Sequence, residues 1–145
     1  MNGVGKLDLL MGVMNLLPNP VYIKNADHVW VEVNAAFCEF LGYSREELLG
    51  RTDRDYFPAA EADVFREMDR RVLSTRQTNV NIEENTGADG RLRWVESRKS
   101  YFEDAEGNAY IIGVLTDVTE LKLREQELQA AEAAAQAALR SKSHF

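Results

Sequence analysis

The chain has 145 residues, of which 45% are hydrophobic and 28% are charged, the balance of one globular domain with a single modest core. Its formal net charge of −7 argues against nucleic acid and anionic membranes as partners, because their phosphate groups repel a negative surface. One cysteine excludes an intrachain disulfide and fits a reducing compartment, so we expect a cytoplasmic protein.

Residues 1–17 are expected to form an amphipathic flanking helix. Leu7, Leu10, Met14 and Leu17 recur at helical spacing, which predicts one apolar stripe. The apolar stretch is far shorter than the roughly 20 residues that a membrane span needs, and no secretory cleavage site follows it. We therefore expect no membrane span in this segment. The stripe would lie across an open sheet face, either of its own domain or of a partner chain.

The next elements are a hairpin and two short helices. Two β-branched and aromatic runs in PVYIKNADHVWVEVN are joined by an Asn and Asp turn, which predicts a β-hairpin. Asn34 is typical of a helix N-cap and Gly42 of a helix end. Ser44 and Glu47 have the spacing of a capping box, which predicts a further short helix.

A longer helix and three strands complete the predicted fold. Residues 59–74 place four apolar side chains on one stripe, which needs a sheet to cover: Val64, Phe65, Met68 and Val72. Three strand-like runs follow, separated by turns rich in Gly, Asp and Asn, and predict an antiparallel meander. The last run is apolar on both faces and is expected at the centre of the sheet. The sum is an α+β fold, a five-stranded antiparallel sheet with helices on one face.

Residues 119–145 have a different character, with no Gly or Pro and a formal charge of zero. We predict one helix of about 25 residues that would reach roughly 38 Å, too long to lie against so small a domain. Apolar residues at intervals of seven, with one more nearby, predict a parallel coiled-coil dimer in either of two registers: Leu121, Leu128, Ala135 and Leu139. The alternative is a solvated helix held by pairs such as Glu120 with Arg124.

Four segments, taken in order, closely resemble a PAS domain: PNPVYIKNAD, NAAFCEFLGYSREELLG, ADGRLRWVE and GVLTDVTELK. The similarity covers roughly residues 16–121, and Asp117 and Thr119 match the Asp-x-Thr triplet that ends PAS cores. The resemblance implies the strand order 2-1-5-4-3. It also implies a PAS domain at residues 18–118, between the flanking helix and a helical linker at residues 119–145.

The tail resembles the connector of bacterial sensor histidine kinases, especially hybrid ones. Lys142, Ser143 and Phe145 match a Lys-Ser-x-Phe sequence that opens the dimerisation and phosphoacceptor domain. His144 takes the variable position and is therefore not the phosphoacceptor. The resemblance implies a homodimeric input module that regulates a histidine kinase domain and, through a phosphorelay, a response regulator. The alternatives are input to another output, such as a diguanylate cyclase, and a protein-interaction module without a ligand.

No built-in cofactor, metal site or catalytic group is predicted. The Asn-Cys-Arg-Phe motif of flavin-binding relatives is missing, the long helix lacks the histidine of haem-binding relatives, and no ligand cluster has the spacing of a metal site. Cys38 is expected to be a partly buried small hydrophobe, with a redox-sensing thiol as the alternative. We expect the remaining candidate polar groups to be solvated or to lie in turns: His28, Asp53, Asp55, Glu83 and Glu84.

Two candidate sites follow from the resemblance. An unidentified small ligand would lie between sheet and helices, in a pocket whose lining is equally explained as ordinary core: Tyr22, Phe37, Phe40, Tyr56, Phe65, Met68, Ile82 and Trp94. Asp117 and Thr119 would form a signal junction where the last strand becomes the linker. Thr119 would cap or brace the linker helix, and Asp117 would pair with an arginine on the neighbouring strand, with three candidates: Arg91, Arg93 and Arg98.

Overall fold

The computed structural model describes residues 5–143 and contains one five-stranded antiparallel sheet. Its strands are β1 (Val21–Asn25), β2 (Trp30–Val33), β3 (Asn79–Thr86), β4 (Leu92–Glu103) and β5 (Ala109–Asp117). Their order across the sheet is β2-β1-β5-β4-β3, which confirms the predicted topology with the last strand at the centre. His144, which the resemblance places at a variable position and not at the phosphoacceptor, lies outside the described part of the chain.

The helices follow the order along the chain that the sequence predicts. They are α1 (Lys6–Leu16), α2 (Ala35–Leu41), α3 (Arg45–Leu48), α4 (Ala59–Thr75) and α5 (Thr119–Ser143), with a 3₁₀ turn at Asp53–Asp55. The predicted caps are present. The Asn34 side chain accepts from the Phe37 amide, Gly42 has a left-handed φ of 85°, and Ser44 and Glu47 form a capping box.

The hydrophobic core lies between the sheet and the face of α2, α3 and α4. It includes Trp30, Phe37, Leu48 and Val95, which are at most 2% exposed. The buried stripe of α4 differs from the predicted one: Ala62, Phe65, Asp69 and Val72 are buried, whereas Val64 is exposed. Asp69 can be buried on this stripe because Lys24 and Lys99 of the sheet form ion pairs with it. The apolar periodicity of the helix alone does not indicate such a partner.

The outer face of the sheet is largely open. Side chains alternate between the two faces of a strand, and on β3 the polar residues Asn81, Glu83 and Asn85 point inward while Val80 and Ile82 point to the outer face. On β5, Ile111 and Leu115 are buried, whereas Ile112 and Val114 on the outer face are only half-buried.

The two terminal helices leave most of their apolar side chains uncovered. Helix α1 packs against α2 through the buried Met14, and the Asn34 amide donates to the Met14 carbonyl oxygen at 2.9 Å. Leu7 and Leu10 remain more than half exposed. Of the two placements expected for this stripe, the one across its own sheet is not observed in the described chain, and the one across a partner's sheet stays a prediction. Helix α5 has 25 residues, none of them buried. Within residues 5–143, no helix combines the length and apolar character of a membrane span.

Candidate functional site

A small cleft opens between the inner face of the sheet and the helices that cover it. Aromatic and aliphatic side chains share its lining with charged and amide groups: Tyr22, Lys24, Phe37, Asp53, Phe57, Phe65, Glu83, Asn85, Lys99 and Leu115. The cavity between them measures about 20 Å³, which is room for about one water molecule.

A network of buried charges occupies the centre of the fold. The Lys24 ammonium group on β1 donates to Asp53 at 2.5 Å and to Asp69 at 2.8 Å. Lys99 on β4 contacts the other Asp69 oxygen at 3.1 Å and Glu83 at 3.5 Å. The Asp69 carboxylate on α4 therefore contacts both strands that flank the central β5. Because an unpaired buried charge is strongly unfavourable, these groups stabilise the fold only as a set.

The surroundings of Lys24 and Asp69 hold both groups in their charged forms. Burial alone would lower the pKa of Lys24, but the carboxylates of Asp53 and Asp69 outweigh it and raise that pKa above its ordinary value. Burial alone would raise the pKa of Asp69, but Lys24, the bond from His28, and Lys99 hold it well below its usual range. Lys24 and Asp69 are therefore both charged at neutral pH.

Three of these residues correct the expectation from sequence. His28, Asp53 and Glu83 are all at least nine-tenths buried, although turns and acidic pairs are usually solvated. The left-handed φ of 65° at His28 turns its ring inward, where Nδ1 lies 3.2 Å from Asp69. The sequence signal that could have indicated these buried groups is the presence of lysines at inward positions of β1 and β4, because a buried lysine needs a carboxylate partner.

The predicted pocket residues fall into three groups. Tyr22, Phe37 and Phe65 line the cleft. Phe40, Tyr56 and Met68 are half-buried, the first two against the edge of the core. Placing Ile82 and Trp94 in the pocket was wrong, since both lie on the outer face of the sheet, where Ile82 is 51% exposed and Trp94 stacks under Lys122 of α5.

The comparison with known families identifies this architecture. A sequence profile described as the PAS fold matches residues 14–123, which spans the core, the cleft and the start of α5. The chain belongs to the PAS family. The PAS domain is a sensory or input domain of signal transduction and is itself not catalytic.

Longer proteins contain similar segments. The chain is 35% identical over 122 residues to the uncharacterised protein y4lL of Sinorhizobium fredii, covering 81% of this chain and 15% of that protein. It is 28% identical over 99 residues to the probable diguanylate cyclase DgcE of Escherichia coli, covering 67% of this chain and 9% of the cyclase. This PAS domain therefore spans only a small part of either relative.

A solved structure shares the fold. The PAS domain of a two-component sensor histidine kinase superposes with a TM-score of 0.65 at 19% identity, covering 77% of this chain and 96% of that one. At this identity the likeness concerns the fold alone.

At the end of the PAS core, hydrogen bonds link β5, β4 and α5. The Asp117 carboxylate accepts from the Thr119 amide at 2.9 Å and from the Thr119 hydroxyl at 2.6 Å. The Trp94 amide of β4 donates to that hydroxyl at 2.9 Å. Within the described residues no arginine pairs with Asp117, contrary to expectation. Asp117 Oδ1 accepts both bonds from Thr119, and Arg93 bonds Asp89 instead.

The first turns of α5 form a groove with the outer face of the sheet. It measures about 480 Å³ and includes Ile82, Val118, Leu121 and Leu128. Leu121, Leu128 and Leu139 are all at least 60% exposed, and Ala135 is exposed as well. Arg124 and Glu120 form an exposed ion pair in the first turns of the helix, 2.6 Å apart, and these apolar side chains are uncovered.

The remaining candidate group is Cys38, which is half-buried on α2. Burial raises the pKa of its thiol above the ordinary value, so less of the reactive thiolate is present at neutral pH. Residues 5–143 contain no group of three or more His, Cys, Asp or Glu side chains arranged to hold a metal ion.

Proposed function

We propose that this PAS domain is the input and dimerisation module of a sensor histidine kinase, and that it controls kinase activity through α5. The observation that carries the proposal is the direct hydrogen-bonded connection of Trp94, Asp117 and Thr119. A displacement of β4 or β5 moves the first turn of α5, because one hydroxyl group bonds both the sheet and the strand end. Two arrangements of a paired α5 would then be biased by the state of the cleft.

Replacing Asp117 with alanine should uncouple the output from the input. The substitution removes both bonds to Thr119 at an exposed position, so we expect the domain to stay folded with a cost of about 1 kcal/mol, as for a lost helix cap. In the full protein, the phosphorylated fraction should stay at one level under growth conditions that change it in the wild type.

The matched control for this experiment is Glu120→Ala, three residues further along the chain, which removes an exposed surface ion pair of small energetic worth. Regulation should survive in that variant. Wild-type regulation in Asp117→Ala would contradict the proposed route through the junction.

A diguanylate cyclase is the second candidate output, favoured by the similarity to DgcE. Both outputs use the same domain and linker, so the PAS fold does not distinguish them. Incubation of the full protein with radiolabelled ATP and, separately, with GTP decides between them. Label on the protein from ATP supports the kinase, whereas conversion of GTP to cyclic diguanylate supports the cyclase.

We also propose that α5 pairs with α5 of a second copy in a parallel coiled coil. The exposed Leu121, Leu128, Ala135 and Leu139 would supply the seam. The charge-bearing substitution Leu128→Lys should shift the chain from dimer to monomer, with at least tenfold weaker association, because a buried lysine would face its own copy across the seam. Light scattering coupled to gel filtration reports the mass.

A lysine at the adjacent position, Gln129→Lys, adds the same charge outside the seam and should leave the dimer intact. A wild-type monomer, or equal dissociation by both variants, would contradict the coiled coil.

A further inference from the structure

The cleft contains more hydrogen-bond acceptors than donors. Lys24 and Lys99 are the cationic groups in its lining, and both are already bonded. Lys24 donates to two carboxylates, and Lys99 donates to the Phe65 carbonyl oxygen at 3.2 Å while it contacts Asp69 at 3.1 Å. The two ammonium groups therefore have little donor capacity left, and the other donors in the lining are the Tyr22 hydroxyl and the Asn85 amide.

Two acceptors in the lining lack a hydrogen-bond donor within the described part of the chain. They are Glu83 Oε2 and Asn85 Oδ1, on neighbouring inward positions of β3. Each residue is only 5% exposed, and Lys99 lies 3.5 Å from Glu83 Oε2, beyond good hydrogen-bond length. Buried polar groups without partners are rare in folded proteins and require an explanation.

The net charge and the volume of the cleft restrict which chemical group could be the missing hydrogen-bond donor. The lining holds two lysines and the two carboxylates of Asp53 and Glu83. With the adjoining Asp69 included and His28 beside it counted as neutral, the carboxylates exceed the lysines by one. The cavity of about 20 Å³ accepts a group the size of water or of an ammonium centre. The walls beside it are aromatic, with Phe57 and Phe65 packed edge to face at 5.1 Å, and aromatic faces also attract cations.

We propose that the cleft binds a small ammonium cation, either NH₄⁺ or a short primary alkylammonium, with its N–H groups donating to Glu83 and Asn85. The two candidate ligands are the ammonium ion and a short alkylammonium such as methylammonium. Each carries one positive charge and several N–H donors. This inference rests on the proposed input function, because it takes the cleft as the place where the signal is received. A bound water is the competing occupant and is an outcome of the test.

The test is isothermal titration of the purified chain at neutral pH with four chloride salts at equal ionic strength: ammonium, methylammonium, tetramethylammonium and potassium. We expect saturable binding of one ammonium or methylammonium per chain, and a matching rise in the unfolding temperature. The tighter binder of those two identifies the source. Tetramethylammonium, which has no N–H group, and potassium should produce no such binding.

Variants on one strand provide the controls. Glu83→Gln removes the excess charge and should weaken binding at least tenfold, whereas Glu84→Gln on the exposed face of β3 should change it less than twofold. If Glu83→Gln does not fold, Asn85→Leu removes the second acceptor without touching the charges and should weaken binding as well. Three results would overturn the proposal in favour of bound water. They are the absence of ammonium binding, equally strong binding of potassium, and a loss of binding in Glu84→Gln as large as that in Glu83→Gln.

The output of the full protein separates this inference from the proposed function. Ammonium binding without any change in phosphorylation would support the ligand assignment and contradict the input role of the cleft. Regulation that proceeds in a chain which binds no ammonium would support the input role and overturn the ligand assignment.

Discussion

Replacing Asp69 with alanine is expected to lower the free energy of unfolding by about 3 to 5 kcal/mol, the cost of breaking a buried ion pair. Asp69 is completely buried and contacts Lys24, His28 and Lys99. Its removal takes one ion-pair partner from each lysine and leaves Lys99 facing Glu83 at 3.5 Å, although both lysines are only 1% exposed. The total free energy of unfolding of a small domain is only about 5 to 15 kcal/mol. Urea unfolding followed by circular dichroism should therefore have its midpoint at a much lower urea concentration than in the wild type.

Asp63→Ala is the matched control, because Asp63 lies on the exposed side of the same helix and its contact with Arg54 at 3.4 Å is solvated. A surface pair of this kind is worth about 1 kcal/mol or less. Equal destabilisation by the two variants would contradict the structural role of the network.

The same carboxylate predicts a pH dependence. The pKa of Asp69 is held well below its ordinary 3.8 in the folded domain, so the unfolded chain takes up the proton first as the pH falls. The stabilisation is therefore present above that ordinary value and is lost as the pH decreases below it. Unfolding of Asp69→Asn, which cannot titrate at this position, should depend less steeply on pH between neutrality and strong acid. An unchanged acid slope would contradict this assignment.

Most of the fold could be predicted because its signals are local. Capping residues such as Asn34 and Ser44 and the turn at Gly42 act within a few positions of the chain, and the structure has them as expected. The apolar β5 also indicated its central place. The buried face of α4 was misplaced in part, because Asp69 is inward only if Lys24 and Lys99 are inward too, and those residues come together only across the finished sheet.

The candidate site was less predictable for the same reason. Apolar side chains usually point inward and polar ones outward, but on β3 Glu83 is buried and Ile82 is exposed. Lys99 on the neighbouring β4 stabilises the buried Glu83. A hydrophobic pattern read along β3 alone assigns the wrong residue to the pocket. Asp117 ends β5 just before α5 begins, and its role as a signal junction stays a prediction. Its expected arginine partner is not observed in the described chain, because a threonine two residues away donates to the carboxylate instead.

Alanine at Gly113 should destabilise the domain by about 1 to 3 kcal/mol, as expected for overpacking a well-filled core. Gly113 on β5 pairs with Tyr22 of β1 on one side and with Lys99 of β4 on the other. A Cβ added there would overlap the Tyr22 ring, which is buried and packs against Phe37 with ring centroids 5.4 Å apart. Because the ring already packs against core neighbours, the strands must separate or the ring must displace those neighbours.

The comparison variant is Gly12→Ala in the middle of α1, where no atom lies within 4 Å of the added carbon. That change should stabilise the chain by about 0.5 to 1 kcal/mol, because alanine favours the helix. A double variant then identifies the clash itself. In a Tyr22→Leu background the ring is gone, and Gly113→Ala should cost much less than in the wild type, which a double-mutant cycle measures as a coupling energy. If the cost is the same in both backgrounds, the strain lies in the sheet backbone and the tyrosine is not its cause.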